Sequence, residues 1–127
     1  MIVNEYERID PVSTAELLPL RELQACCSPI TGEVMSVQNA ESLARSIKAL
    51  ADPARLRLLS MVAAHEDGEA CVCELTEPLG LGQPTVSHHL KVLMDAGFLT
   101  RAKRGTWAYY RLVPGSLDAV ASLVATV

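Results

Sequence analysis

Most apolar positions in this chain fall at helical spacing, and the segment from Gln83 to Gly97 shows two contrasting faces. Val86, Leu90 and Leu93 recur at i, i+4 and i+7 as an apolar stripe, while Gln83, Ser87, His88 and Lys91 fall on the other side. Pro84 has no amide proton to leave unpaired and suits the first helical position. Gly97 suits the left-handed residue that closes a helix. Immediately before this segment, Cys71 to Leu79 reads as a short helix or its beginning, with Val72, Leu75 and Leu79 at i, i+3 and i+7. Gly80-Leu81-Gly82 is a tight turn between the two.

Further upstream the same reading gives two more helices. Asn39 is expected to cap one with Leu43, Ile47, Leu50 and Ala51 inward. Asp52-Pro53 restarts the chain, Asp as cap and Pro at the first position, with Leu56, Leu59 and Val62-Ala63 inward. His65 to Glu69 reads as a polar turn. At the start of the chain, residues 1–12 resemble a frayed arm. Ser13-x-x-Glu16 has the form of a capping box ahead of Leu17, Leu20 and Leu23, with Pro19 limiting that helix to a short or kinked one. Cys26-Cys27 and a Pro- and Gly-containing loop follow.

Downstream of Gly97 the pattern changes. Phe98 to Lys103 and Thr106 to Leu112 are rich in aromatic and β-branched residues and read as strands, with Arg104-Gly105 as the turn. Trp107 and Tyr109 share one face and Tyr110 the other; most of these aromatics are expected to pack onto the domain. Ser116 is placed as the cap of a last helix striped by Leu117, Val120, Ala121, Val124 and Val127, with Asp118 its only charge. A terminal helix this apolar needs a partner surface, which in a small domain points to a dimer. The predicted fold is mainly α with a β-hairpin wing, a winged helix-turn-helix that dimerises through its terminal helices. Residues 1–37 are read as an arm with a short helix carrying Cys26-Cys27, and residues 38–127 as the DNA-binding and dimerisation domain.

Charge sharpens this picture. Over 127 residues the net charge is −4, which by itself does not point to nucleic acid. From Gln83 to Arg111, however, five cations (Lys91, Arg101, Lys103, Arg104, Arg111) face one acid, a net of +4, and the remainder carries six cations and fourteen acids, a net of −8. A basic segment on an acidic body is the asymmetry of a single face that meets an anion. Short hydrogen-bonding groups with one cation on the polar side of the Gln83 helix suit base edges and phosphates. The first ten residues hold three acids and no apolar run of signal-peptide length. No segment approaches the roughly 18 to 20 apolar residues of a membrane span. A cytoplasmic location is expected, where four cysteines read as metal binding or redox chemistry before structural disulfides. An enzyme with a cysteine nucleophile would need an anion-cradling loop, and no Gly-rich or Arg-containing loop follows any of the four.

Three stretches together carry a family resemblance: Lys48-Ala-Leu-Ala-Asp-Pro-Ala-Arg-Leu-Arg, Gln83-Pro-Thr-Val-Ser-His-His-Leu-Lys-Val-Leu, and Gly105 to Leu112. Over roughly Ala40 to Leu112 the chain resembles the ArsR/SmtB family of dimeric winged-helix repressors, which release operator DNA on binding a metal ion or metalloid. The resemblance implies that Gln83, Ser87 and His88 face the bases, with Lys91 and the wing residues Arg101, Lys103 and Arg104 on phosphates, and that Thr85 also lies at the DNA. Cys71-Val-Cys73-Glu-Leu75 is similar to the Cys-Val-Cys-Asp-Leu motif of the family's arsenic and cadmium/lead sensors. The zinc-sensing subgroup uses Asp and His ligands on the last helix, which here offers no His and only Asp118.

Cys26-Cys27 lies near where some arsenic sensors of the family carry a cysteine pair that meets a cysteine of the other subunit. Soft thiolates select soft ions. The implied site is intersubunit, with Cys26 and Cys27 of one chain and Cys71 or Cys73 of the other holding As(III), or Sb(III), through three sulfurs. Residues two apart on a regular helix point about 200° apart, so Cys71 and Cys73 both reach one ion only if Cys71 precedes the first turn. Alternatives within the same fold are a cadmium/lead sensor using all four cysteines and a thiol redox switch.

Overall fold

Asp52 turns the chain from one helix into the next. Its carboxylate accepts from the amides of Ala54 (2.9 Å) and Arg55 (3.1 Å), and Pro53 follows it in the first turn. The computed structural model describes residues 29–126. In it, α1 (Val37–Leu50) and α2 (Pro53–Ala64) lead through a short 3₁₀ turn, Glu66–Gly68, into β1 (Glu69–Cys71) and α3 (Val72–Leu79). There follow α4 (Gln83–Asp95), the hairpin β2 (Leu99–Arg104) and β3 (Trp107–Leu112), and α5 (Ser116–Val124). The sheet is antiparallel with β3 in the centre, β1 on one side and β2 on the other.

The chain divides into two compact units. One is Lys48–Pro114; the other draws on both ends of the chain, up to Ile47 and from Gly115. The first holds α2, the helix pair α3–α4 and the three-stranded sheet. Its core is Leu58 and Val62 of α2, Leu75 of α3, Val86, Leu90 and Leu93 of α4, and Phe98, all fully buried. The stripe expected for the Gln83 helix is therefore the buried one. Gly97 has φ 91°, the left-handed closure anticipated. In the second unit, Ile30 N–H bonds to Leu123 O at 2.8 Å, and Ser116, Ala119, Val120 and Leu123 are the buried side of α5.

Several expectations shift. The cap of α1 is Ser36, whose hydroxyl accepts from Asn39 N at 3.1 Å, so the helix starts two residues before the expected cap. The buried side of α1 is Ser42, Leu43, Ser46 and Ala49; Ile47 and Ala51 are exposed. In α2 the inward face is Leu58, Leu59 and Val62, with Leu56 53% exposed and Ala63 exposed. Arg55 explains this rotation. Positions 55, 58, 59 and 62 share one side of a helix, and Arg55 spends its guanidinium there, its Nε donating to Ala49 O at 2.6 Å. Leu56 lies about 100° away.

Gly115, not Ser116, precedes α5, and its apolar residues split between two sides: Val120 is buried while Leu117, Ala121 and Val124 are exposed. The hairpin turn is Gly105-Thr106, one residue later than expected, because Arg104 pairs across the ladder with Trp107. Cys26-Cys27 and the Ser13–Leu23 segment lie outside the described residues. Among the described residues no helix is long and apolar enough to cross a membrane.

Candidate nucleic-acid interface and thiol pair

Gly80 (φ 70°) ends α3 in the left-handed conformation, and Gly82 caps α4 two residues later. This tight connection fixes α4 beside α3 and sends its polar side outward. Gln83, Thr85 and His88 are exposed, and Ser87 and Lys91 are half-buried. Lys91 is not a lone cation: its ammonium is 2.6 Å from the Asp95 carboxylate one turn on. His89, the neighbour of His88, points inward instead. Its Nδ1 is 3.0 Å from Arg55 Nη1, and its Nε2 is 4.0 Å from Asp52 Oδ2. Burial, first, holds the His89 pKa below the usual histidine value, against the pull of the Asp52 charge.

On the wing, Lys103 and Arg104 are exposed and Arg101 is half-buried. Ala108 and Tyr110 face the core and Tyr109 is half-buried, whereas Trp107, 51% exposed, is the exception among the wing aromatics. Its ladder partner is Arg104 at the hairpin turn, beyond the reach of the packed layer. The Arg104 guanidinium lies 4.5 Å above the Tyr109 ring centroid.

The third strand was invisible in the sequence, and it brings in Glu69. The ladder places Glu69 opposite Arg111. Its carboxylate binds Arg104 Nη2 (2.8 Å to Oε1, 2.7 Å to Oε2) and Arg111 Nη2 (3.0 Å to Oε1). The hydrogen bond from Arg104, first, keeps the Glu69 carboxyl below the ordinary glutamate value. The only signal available in sequence was one of three acids in a polar turn, Glu66, Asp67 and Glu69, which marks nothing without the strand pairing.

Cys71 is the residue that joins β1 to α3. It adopts extended geometry (φ −84°, ψ 149°) as the cap of α3, outside the first turn. Its sulfur accepts from Cys73 N at 3.1 Å, and its own amide donates to Glu74 Oε1 at 2.9 Å. This is a capping box with Cys where Ser usually stands. Glu74 Oε1 is also 3.4 Å from His65 Nε2. Because Cys71 precedes the helix, its sulfur and that of Cys73 converge; they are joined as a disulfide with Cα atoms 5.1 Å apart. Cys71 is 1% exposed and Cys73 exposed, so solvent reaches the pair from the Cys73 side. Among the described residues no group of three or more His, Cys, Asp or Glu is arranged to hold a metal ion. Once the disulfide is reduced, each of the two cysteines offers a soft thiolate.

The model of the bacterial regulatory protein, arsR family, matches residues 52–101, from the Asp52 cap through the reading helix into the wing. The arsenical resistance operon repressor of Staphylococcus xylosus is 38% identical over 61% of this chain and 72% of its own length. This chain belongs to the arsR family. Arsenic resistance transcriptional regulator ArsR1 of Pseudomonas putida is 49% identical over 53% of this arsR-family chain, which spans about half (51%) of that protein. Among solved structures, the antimony-specific repressor AntR aligns with a TM-score of 0.59 at 31% identity, covering 71% of this chain and 80% of that one. A homodimeric winged helix-turn-helix domain of Mycobacterium bovis aligns at 0.58 and 29% identity, covering 69% and 82%. The arsR-family protein is thus a DNA-binding winged helix-turn-helix regulator, with relatives that are transcriptional regulators and not enzymes.

Proposed function

We propose that this arsR-family protein is an arsenite- and antimonite-responsive repressor that binds operator DNA as a homodimer and leaves it when the metalloid binds cysteine thiolates. The observation that carries this reading is the position of Cys71 and Cys73 at the start of α3, the helix that leads into α4, where reduction of their disulfide frees a thiolate. Cys26 and Cys27 of one subunit, with Cys71 or Cys73 of the other, form the three-sulfur site. Trivalent arsenic or antimony bound there ties the arm of one subunit to the start of α3 in its partner and alters the relative placement of the two reading helices. In the DNA-bound dimer Gln83, Thr85, Ser87 and His88 face base edges. Lys91, Arg101, Lys103 and Arg104 meet phosphates, Lys91 by leaving Asp95. The exposed Leu117 and Val124 of α5 supply apolar surface for the dimer. Similarity to arsenic and antimony repressors supports this choice of ion.

Coupling between two ligands is reciprocal, so operator DNA weakens metalloid binding by the factor by which the metalloid weakens DNA binding. The test is titration of a protein–operator complex, the operator recovered by selection from random duplexes, with arsenite, antimonite, cadmium, lead and zinc. Release by arsenite and antimonite is expected; release by cadmium or lead alone would replace the metalloid with a soft divalent ion in the same fold. One observation favours a second reading, a thiol redox switch: the two sulfurs at α3 are already within bonding distance of each other. Release by peroxide in the absence of any metalloid distinguishes it.

A further inference from the structure

Glu69 is the acidic member of a three-residue charge cluster on the wing, 15% exposed between two arginines that are each more than half exposed. Strand pairing puts it there: β1 hydrogen-bonds β3 with Glu69 opposite Arg111, and β2 delivers Arg104 to the same carboxylate. The Arg104 guanidinium also lies over the Tyr109 ring. Two cations sharing one anion present a net charge of +1 to their surroundings rather than +2. We infer that Glu69 limits how much of the wing's positive charge reaches the DNA backbone, setting the number of phosphates that Arg104 and Arg111 neutralise. This rests on the wing meeting DNA, as proposed above.

The physical reason is competition. A guanidinium already bonded to a carboxylate must surrender that bond, or share it, to take a phosphate oxygen, and the carboxylate itself repels the phosphate. Glu69 therefore lowers the electrostatic, sequence-independent part of DNA affinity, leaving a larger share to base contacts by α4. The strand that supplies Glu69 also ends in Cys71, two residues on, so the clamp and one of the two cysteines share one short element.

The salt dependence of binding to a fluorescein-labelled, mixed-sequence DNA duplex reads the number of neutralised phosphates directly, with a slope of about −0.9 per phosphate. Glu69→Gln in the full-length protein is expected to bind tighter at low salt and to steepen the slope by about 0.9 per subunit. Asp67→Asn makes the same charge change two residues away, at a left-handed position that Asn accepts (φ 62°), and is expected to leave the slope near that of the unmodified protein. Arg104→Gln should flatten the slope. In an Arg104→Gln/Arg111→Gln background, Glu69→Gln should have no further effect. Glu69→Asp keeps the charge but shortens the reach; it should steepen the slope too, and serves if Gln disturbs the fold.

An unchanged slope in Glu69→Gln while Arg104→Gln flattens it would overturn the clamp and leave the wing on DNA. Equal steepening by Asp67→Asn, or persistence of the Glu69 effect without the arginines, would also overturn it by reducing it to net charge. An Arg104→Gln slope equal to that of the unmodified protein would take Arg104 off the phosphates and overturn the clamp, while leaving Arg101 and Lys103 to carry the wing's contact.

Discussion

Arg55 of α2 and His89 of α4 meet with 3.0 Å between Nη1 and Nδ1. Arginine has no acceptor capacity, so Nδ1 of His89 accepts and its ring proton sits on Nε2, the nitrogen that faces Asp52. The same guanidinium donates to Ala49 O through Nε and to Lys48 O through Nη2. One side chain thereby joins the last turn of α1 to the inner side of the helix whose outer side is proposed to read DNA.

This arrangement makes stability fall on mild acidification. The His89 pKa is held down in the folded protein, by burial first. Above the unfolded value of about 6.5 the ring is neutral in both states and contributes no pH dependence. Between the lower folded value and about 6.5 the unfolded chain takes up a proton that the folded one refuses, so stability drops as pH falls; below the folded value the loss levels off. Denaturation midpoints measured across this range should decline, and His89→Gln should flatten the decline.

Burial separates two leucines that the sequence pattern groups with the core. Leu93 is fully buried on α4, and Leu93→Ala is expected to cost about 2 to 5 kcal/mol of unfolding free energy. Leu56 is 53% exposed, and Leu56→Ala should stay within about 0.5 kcal/mol in a monomeric unfolding measurement. Urea denaturation of the two variants checks both values.

Substitutions on the outer side of α4 should act on recognition and spare the fold. Ser87→Ala and His88→Ala are each expected to weaken operator binding by about 1 to 3 kcal/mol and to relax selectivity at one base pair. Thermal melting should stay close to that of the unmodified protein. Competition between the operator and single-base variants of it reads the selectivity.

The elements with strong local punctuation were legible in the sequence. Asp52-Pro53 marked the start of α2, the stripe of Val86, Leu90 and Leu93 with Gly97 marked α4, and the aromatic run after Gly97 marked the hairpin. What escaped was non-local. β1 is three residues long, too short for any alternation, and exists because β3 offers it an edge. Glu69 was hidden with it. The inward face of α2 was misjudged because an arginine occupies the core side there, satisfied by Ala49 O and His89, and no periodicity of apolar residues shows that. Reading Cys71 and Cys73 likewise required knowing whether Cys71 lay inside the helix, and its place as the cap decides that the two sulfurs converge.

In the proposed mechanism, metalloid capture by cysteine thiolates of both subunits drives release. X-ray absorption at the arsenic edge of the reduced, arsenite-loaded dimer tests it most directly. Three As–S contacts are expected, lost together with arsenite-driven operator release when Cys26 and Cys27 are both replaced by Ser, while DNA binding of that variant is retained. Arsenic bound through oxygen, or three sulfurs and intact release in the Cys26/Cys27 variant, would contradict it.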